Sequence, residues 1–264
     1  MSLSTVLFLF LAHLAIGIAF TLLIVSSEAG IKFFRFNAGL AAILLIIGIA
    51  FRPNDAPRDL GWAALVVAAA ALVLYWATIG RALTRIRQWI MGAAVVAGTL
   101  ALVLQALALS ADRATGMQAL TVASFLTSAI LLGGACTAMV LGHWYLILPS
   151  MQVSHLQSIV KVHIVSMLMR VVVVAAAVLM AIVTWQPGLG PSFRHYITSA
   201  GGIFFWQRVL FGLAGPALLS YLTWETAKIR STQSATGILY VDFFTVVVGE
   251  VLAKYLLLAT RVPV

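Results

Sequence analysis

Eight apolar segments, each long enough to cross a bilayer, occupy almost all of this 264-residue chain. A hydrocarbon layer about 30 Å thick takes about 20 apolar residues to cross as a helix. Lipid offers no hydrogen bonds to a backbone N–H or C=O, so segments of this kind close their hydrogen bonds internally. The predicted class is an all-α, polytopic integral membrane bundle of about eight transmembrane helices, one domain over residues 1–264. The spans read at roughly 3–26, 37–52, 61–80, 88–110, 117–142, 155–184, 198–226 and 235–260. The second is short for a full crossing, and its start can be moved back towards Ile31. Pro53 and Pro57 close it, and Pro149, Pro187 and Pro191 mark two further loops. The first segment has neither a basic leader nor a small-x-small cleavage site, and it reads as a retained helix.

Charged residues make up 9% of the sequence, against roughly 25% in a soluble domain. The net charge is +9, yet the Lys and Arg residues lie mostly in short loops beside apolar spans. That placement suits topology signals and lipid headgroup contacts, so membrane lipids are expected partners and nucleic acid is not. Let face A be the side on which odd-numbered spans end, and face B the other. Face A carries Lys32, Arg35, Arg81, Arg85, Arg87, Lys161, Lys228 and Arg230; face B carries Arg52, Arg58, Arg113, Arg194 and Arg261. The excess on A predicts a cytoplasmic face A, with both termini extracytoplasmic, in a membrane of the bacterial cytoplasmic type. Cys136 is the sole cysteine, which excludes a disulfide, a cysteine-ligated zinc site and an iron–sulfur cluster held by this chain alone. Set among Gly133, Gly134 and Ala135, it reads as a small buried hydrophobe.

Ionisable groups at membrane depth are costly and mark function or paired structure. On the sixth span, His155, His163, Ser166 and Arg170 fall within roughly 80° of helical arc and form one polar stripe. The plainer alternative is an interfacial turn of His155, Gln157 and Lys161 that leaves Arg170 alone at depth. His143 closes the fifth span in Gly142-His143-Trp144-Tyr145-Leu146, where the aromatics suit a membrane boundary. His13 stands alone near the middle of the first span. It could ligate a b-type haem opposite His163 or His143, although His13 and His163 lie about 20 Å and about 12 Å from face A. Arg208 and Glu250 lie at equal depth from face B and form a candidate ion pair; Lys254 is the i+4 neighbour of Glu250. Such charges can simply lock two helices together. Asp242 has only Arg170 as a cation near its depth, which makes it the candidate for proton uptake. Gly212 and Gly215 share the arc of Arg208 and allow close helix approach, next to a kink at Pro216.

The run Gly249-Glu250, Lys254 four residues on, a further apolar stretch and Pro263, with Arg208 in the preceding helix, resembles the last two helices of the quinone-reactive membrane subunits of polysulfide reductase and dimethyl-sulfoxide reductase. Those subunits usually have arginine where this chain has Lys254. The eight-helix count and extracytoplasmic termini agree with the smaller members. The resemblance implies a quinone- or quinol-binding subunit that docks an iron–sulfur or cytochrome partner in a respiratory-type oxidoreductase complex. In that reading His143, His155 and His163 hydrogen-bond the quinone carbonyls or supply protons, Arg170 stabilises the reduced anion, and Asp242 relays protons. His13, Arg208 and Glu250 complete the candidate cofactor-binding set. The first alternative is a b-type cytochrome subunit with His13 and His163 on the haem iron. The second is a transporter or assembly factor, whose broken helix would be the one at Pro216.

Overall fold

The computed structural model describes residues 2–53, 56–81, 86–147, 153–185, 192–229 and 231–264, with the backbone alone for 153–155. Helices α1 (Leu3–Leu22), α2 (Gly30–Ala50), α3 (Leu60–Thr78), α4 (Arg87–Leu109), α5 (Thr115–Ile147) and α6 (Val153–Val183) form the first six spans. A short α7 (Phe193–Thr198) precedes the seventh, which is built of α8 (Ile203–Val209), one π-helical turn (Leu210–Ala214) and α9 (Gly215–Lys228). The eighth is α10 (Thr232–Thr260). All eight are long and apolar enough to cross a membrane, and the described residues form no strand. The chain is an all-α helical bundle of the integral membrane type.

Two helices occupy the centre. The apolar windows of α1 and α5 are 78% and 83% buried, against 28–44% for the other six. Small residues explain why these two go inside. Gly17 of α1 meets the backbone of Ala129 and Gly133 of α5, so close that a methyl group on either glycine would strike the opposing chain. Packing of this kind replaces the hydrophobic drive that lipid does not supply. Thr21 and Thr137 hydrogen-bond across the same seam at 2.6 Å. Cys136 is buried there as a small apolar filler, as its surroundings in sequence suggest. Around this axis α2 packs on α1, while α6 and α10 pack on α5. The outward faces are apolar, with Val96, Leu179 and Phe244 each more than 60% exposed, a surface suited to acyl chains.

Helix ends follow local chemistry. Asp59 caps α3 by accepting from the Trp62 N–H at 2.9 Å, and Ser192 caps α7 through the His195 N–H at 3.1 Å. Gly30, at φ 81°, opens α2, so the second span starts well before residue 37 and crosses in full. Helix α5 runs five residues past the expected end, which places His143, Trp144 and Tyr145 within its final turns. The seventh span is interrupted by the π turn, with Pro216 heading α9. Proline has no N–H to return to the preceding turn, and a widened turn just upstream accommodates that loss.

Candidate functional site: two buried ionic centres

Glu250 is the hub of the first centre and is fully buried. Its Oε1 accepts from Arg170 Nε at 3.0 Å and Arg208 Nη2 at 2.8 Å. Its Oε2 accepts from Ser128 Oγ at 2.5 Å, from Lys254 Nζ at 3.3 Å and from Arg170 Nη2 at 3.3 Å. Arg170 also donates through Nη1 to Ser124 Oγ at 2.6 Å and through Nη2 to the Val264 carbonyl at 3.3 Å. Five elements thus converge: α5, α6, α8, α10 and the segment after α10. Among the described residues, three cations surround one carboxylate at 2% exposure or less. Desolvating ions this deep is tolerable only with such dense pairing.

Ser128 carries the network on to His13 of α1, whose Nδ1 lies 3.1 Å from Ser128 Oγ. A serine hydroxyl has one proton and two acceptor lone pairs. Ser128 gives its proton to the Glu250 carboxylate and accepts from Lys254 Nζ at 2.6 Å. The remaining lone pair requires His13 to donate, so the proton of a neutral His13 sits on Nδ1. Its Nε2 is then a bare acceptor, buried and without a hydrogen-bond partner among the described residues. Phe125 sets the ring by an edge contact with centroids 4.6 Å apart.

The second centre is one pair. His163 Nε2 of α6 lies 2.7 Å from Asp242 Oδ2 of α10, both fully buried. Gly134 of α5 leaves room for the ring, and Ser166 is occupied with the His163 carbonyl at 2.7 Å. Neither imidazole nitrogen and neither carboxylate oxygen has an aligned hydrogen bond among the described residues. The pair carries no net charge when it holds one proton, which is the state that burial favours. His163 and Asp242 each lie about ten residues into their helices from face A, about 15 Å deep. Glu250 is two turns further along α10, about 12 Å towards face B.

The structure therefore divides the expected polar stripe. Arg170 is the partner of Glu250, and the side chain that meets Asp242 is His163. Arg208–Glu250 and Glu250–Lys254 pair as their depth and spacing suggest. Gly212 faces Gly249 beside Arg208 in the close approach expected of small residues there. His143 is not part of either centre: it is exposed, with Nδ1 3.2 Å from Tyr240 Oη, and lies about nine residues along α5 from the Gly134 that abuts His163. The side chain of His155 lies outside the described residues. Ser124 and Ser128 were not among the sequence candidates, though two hydroxyls spaced i,i+4 on an apolar helix are a readable polar face.

A haem clasped between His13 and His163 does not fit these residues. His13 sits on Ser128 and His163 on Gly134, six residues on and roughly 240° around α5, so the helix stands between them. The Nε2 of His163 is taken up with Asp242. His143 is no better opposed to His13, being some 15 residues along α5 from Ser128. Among the described residues, no group of three or more His, Cys, Asp or Glu side chains is placed to hold a metal ion. Comparison with family models, with curated proteins and with solved structures found no match.

Proposed function

We propose that this chain is the quinone-interacting integral subunit of a multi-subunit oxidoreductase, passing electrons between a redox partner subunit and the membrane quinone pool. One observation supports this reading above the others: a single bundle holds two separate acid–base centres at different depths. Reducing a quinone takes two electrons and two protons, and the protons must be handled inside the bilayer. The His163–Asp242 pair is a store for one proton on the face A side. On the face B side, the bare Nε2 of His13 is an acceptor backed by Ser128 and the ion-locked Glu250. A single cysteine gives the chain no cluster ligands of its own, so its electrons come from an iron–sulfur or cytochrome companion. The surplus of basic residues on face A orients that side to the cytoplasm, with both termini outside.

The test is made on the complex purified with its companion chains. His163→Ala and Asp242→Asn are each expected to lower quinol-linked turnover at least tenfold while the companion chains still copurify in equal amount. Full turnover in both variants, together with no saturable binding of a short-chain benzoquinone, sinks the assignment. The broken seventh span, with its π turn beside buried Arg208, gives a transporter reading its one specific footing. Solute flux in proteoliposomes that lack any redox partner would decide for that second reading.

A further inference from the structure

A cavity of about 460 Å³ opens at face B, where the start of α5 and the ends of α6 and α10 meet α7 and α8. None of its lining residues belongs to either ionic centre, but two of them stand close in sequence to members of the first. Phe204 stands one turn before Arg208, and Tyr255 follows Lys254 directly. The rings of Phe204 and Tyr255 lie side by side with centroids 5.2 Å apart, tilted by 54°. Trp185 and Tyr196 add further aromatic surface, and Arg113 and Arg261 supply guanidinium groups. Arg261 is held in the left-handed region at φ 60°, ending α10, and its Nη1 reaches the Leu109 carbonyl at 3.4 Å.

Each feature restricts the occupant. A volume of this size lies within the ~300–1,000 Å³ of small-molecule sites and far exceeds what a bare anion needs. Aromatic walls favour a flat, apolar ring, since stacked or edge contacts add to simple burial. The donors in the lining include two guanidiniums and two phenols, while the hydroxyls of Thr184 and Thr260 already donate to the Met180 and Leu256 carbonyls. The complement is a planar ring that bears acceptor oxygens. The mouth lies at the membrane boundary, where such a ring arrives attached to a lipid-soluble tail.

We infer that this face B cavity, and not the surface around His143, binds the headgroup of a membrane-borne quinone or quinol. The inference rests on the quinone-subunit reading above and gives it a location. A ring seated here lies beside the stretches of α8 and α10 that carry Arg208, Glu250 and Lys254. The Glu250–Ser128–His13 network is then the nearer proton-handling centre, and His163–Asp242 serves the opposite face.

The experiment uses the full chain in vesicles with a photoreactive azidoquinone, followed by peptide mapping. Label is expected on α7 and on the last turns of α10, competed away by a short-chain benzoquinone. Changing Arg113→Gln and Arg261→Gln together should reduce that labelling about tenfold, whereas Lys228→Gln on the opposite face should leave it unchanged. Tyr255→Phe removes a single hydroxyl and keeps the ring; a three- to tenfold loss is expected from it even if the double variant fails to fold. Label confined to α5 and α10 around His143 and Tyr240 overturns the location and leaves the quinone reading standing. Labelling suppressed by phosphatidylglycerol but not by benzoquinone marks a lipid phosphate site and overturns the inference. Absence of saturable labelling anywhere removes both the inference and the reading beneath it.

Discussion

Glu250 is the residue on which the interior of this protein is balanced. It pairs directly with Arg170 and Arg208 and stands within 3.3 Å of Lys254, so its charge is shared by three cations that also repel one another. Removing one member of a buried ion network costs about 3–5 kcal/mol, because the partners left behind remain buried and charged. Glu250→Gln is therefore expected to lower stability in detergent by about that amount, read as a drop in the thermal or denaturant midpoint. An unchanged midpoint would mean that the three cations are not held by this carboxylate. Depth alone makes the Arg208–Glu250 pair legible in the sequence, since both lie about ten residues from face B. The same count places His163 and Asp242 level with each other, yet the sequence leaves that pair hidden. Arg170 shares an arc with His163 and competes for the same carboxylate, and which of them faces Asp242 depends on how α6 and α10 rotate against α5. That rotation follows the packing of Gly134 on His163 and of Gly142 on Thr236 and Leu239, which hydropathy does not report.

At the scale of elements, the α1–α5 seam organises everything else. Both helices must approach until their backbones touch at Gly17, Ala129 and Gly133, and only then do His13 and Ser128 come within hydrogen-bonding reach. A methyl group on Gly133 meets backbone on the far side, which has no rotamer to yield. Overpacking of this sort costs about 1–3 kcal/mol. Gly133→Ala should destabilise the protein by that much and also weaken the His13–Ser128 contact, whereas Gly237→Ala, where an added Cβ meets nothing, should be tolerated. Comparing the two unfolding midpoints checks the seam; equal midpoints would show that the helices have slack there. Eight helices were readable from hydropathy because lipid imposes their length. Their ends were less so: α2 starts at Gly30, about two turns before the expected residue 37, behind the capped Ser27–Ala29 turn, and α5 continues through the His-Trp-Tyr run. Both departures occur at the membrane boundary, where aromatic and basic residues satisfy helix and interface alike.

The whole molecule has a polarity that follows from where its cations can reach water. Lys161 lies well inside the sequence limits of α6, yet its Nζ stands 5.3 Å from the Trp224 ring, and Lys228 Nζ stands 5.5 Å from the same ring. Both lysines therefore stretch to one level near the end of α9, at face A, as long cationic side chains do when their stems are in lipid. Arg35 lies over Trp76 at 5.7 Å on the same face. These contacts place Lys161 with the face A basic residues. Eight basic residues on A against five on B then favour a cytoplasmic face A. The cavity beside Arg113 and Arg261 would open on the outer side, and the His163–Asp242 pair would draw protons from the inner one. Single cysteines test this directly, because the one native thiol, Cys136, is buried and can be replaced by alanine at small cost. In that background, Ala111→Cys at face B should react with a membrane-impermeant maleimide on intact cells. Lys228→Cys at face A should react only after the membrane is opened. The reverse pattern would turn the molecule over and exchange the inner and outer roles of its two buried centres.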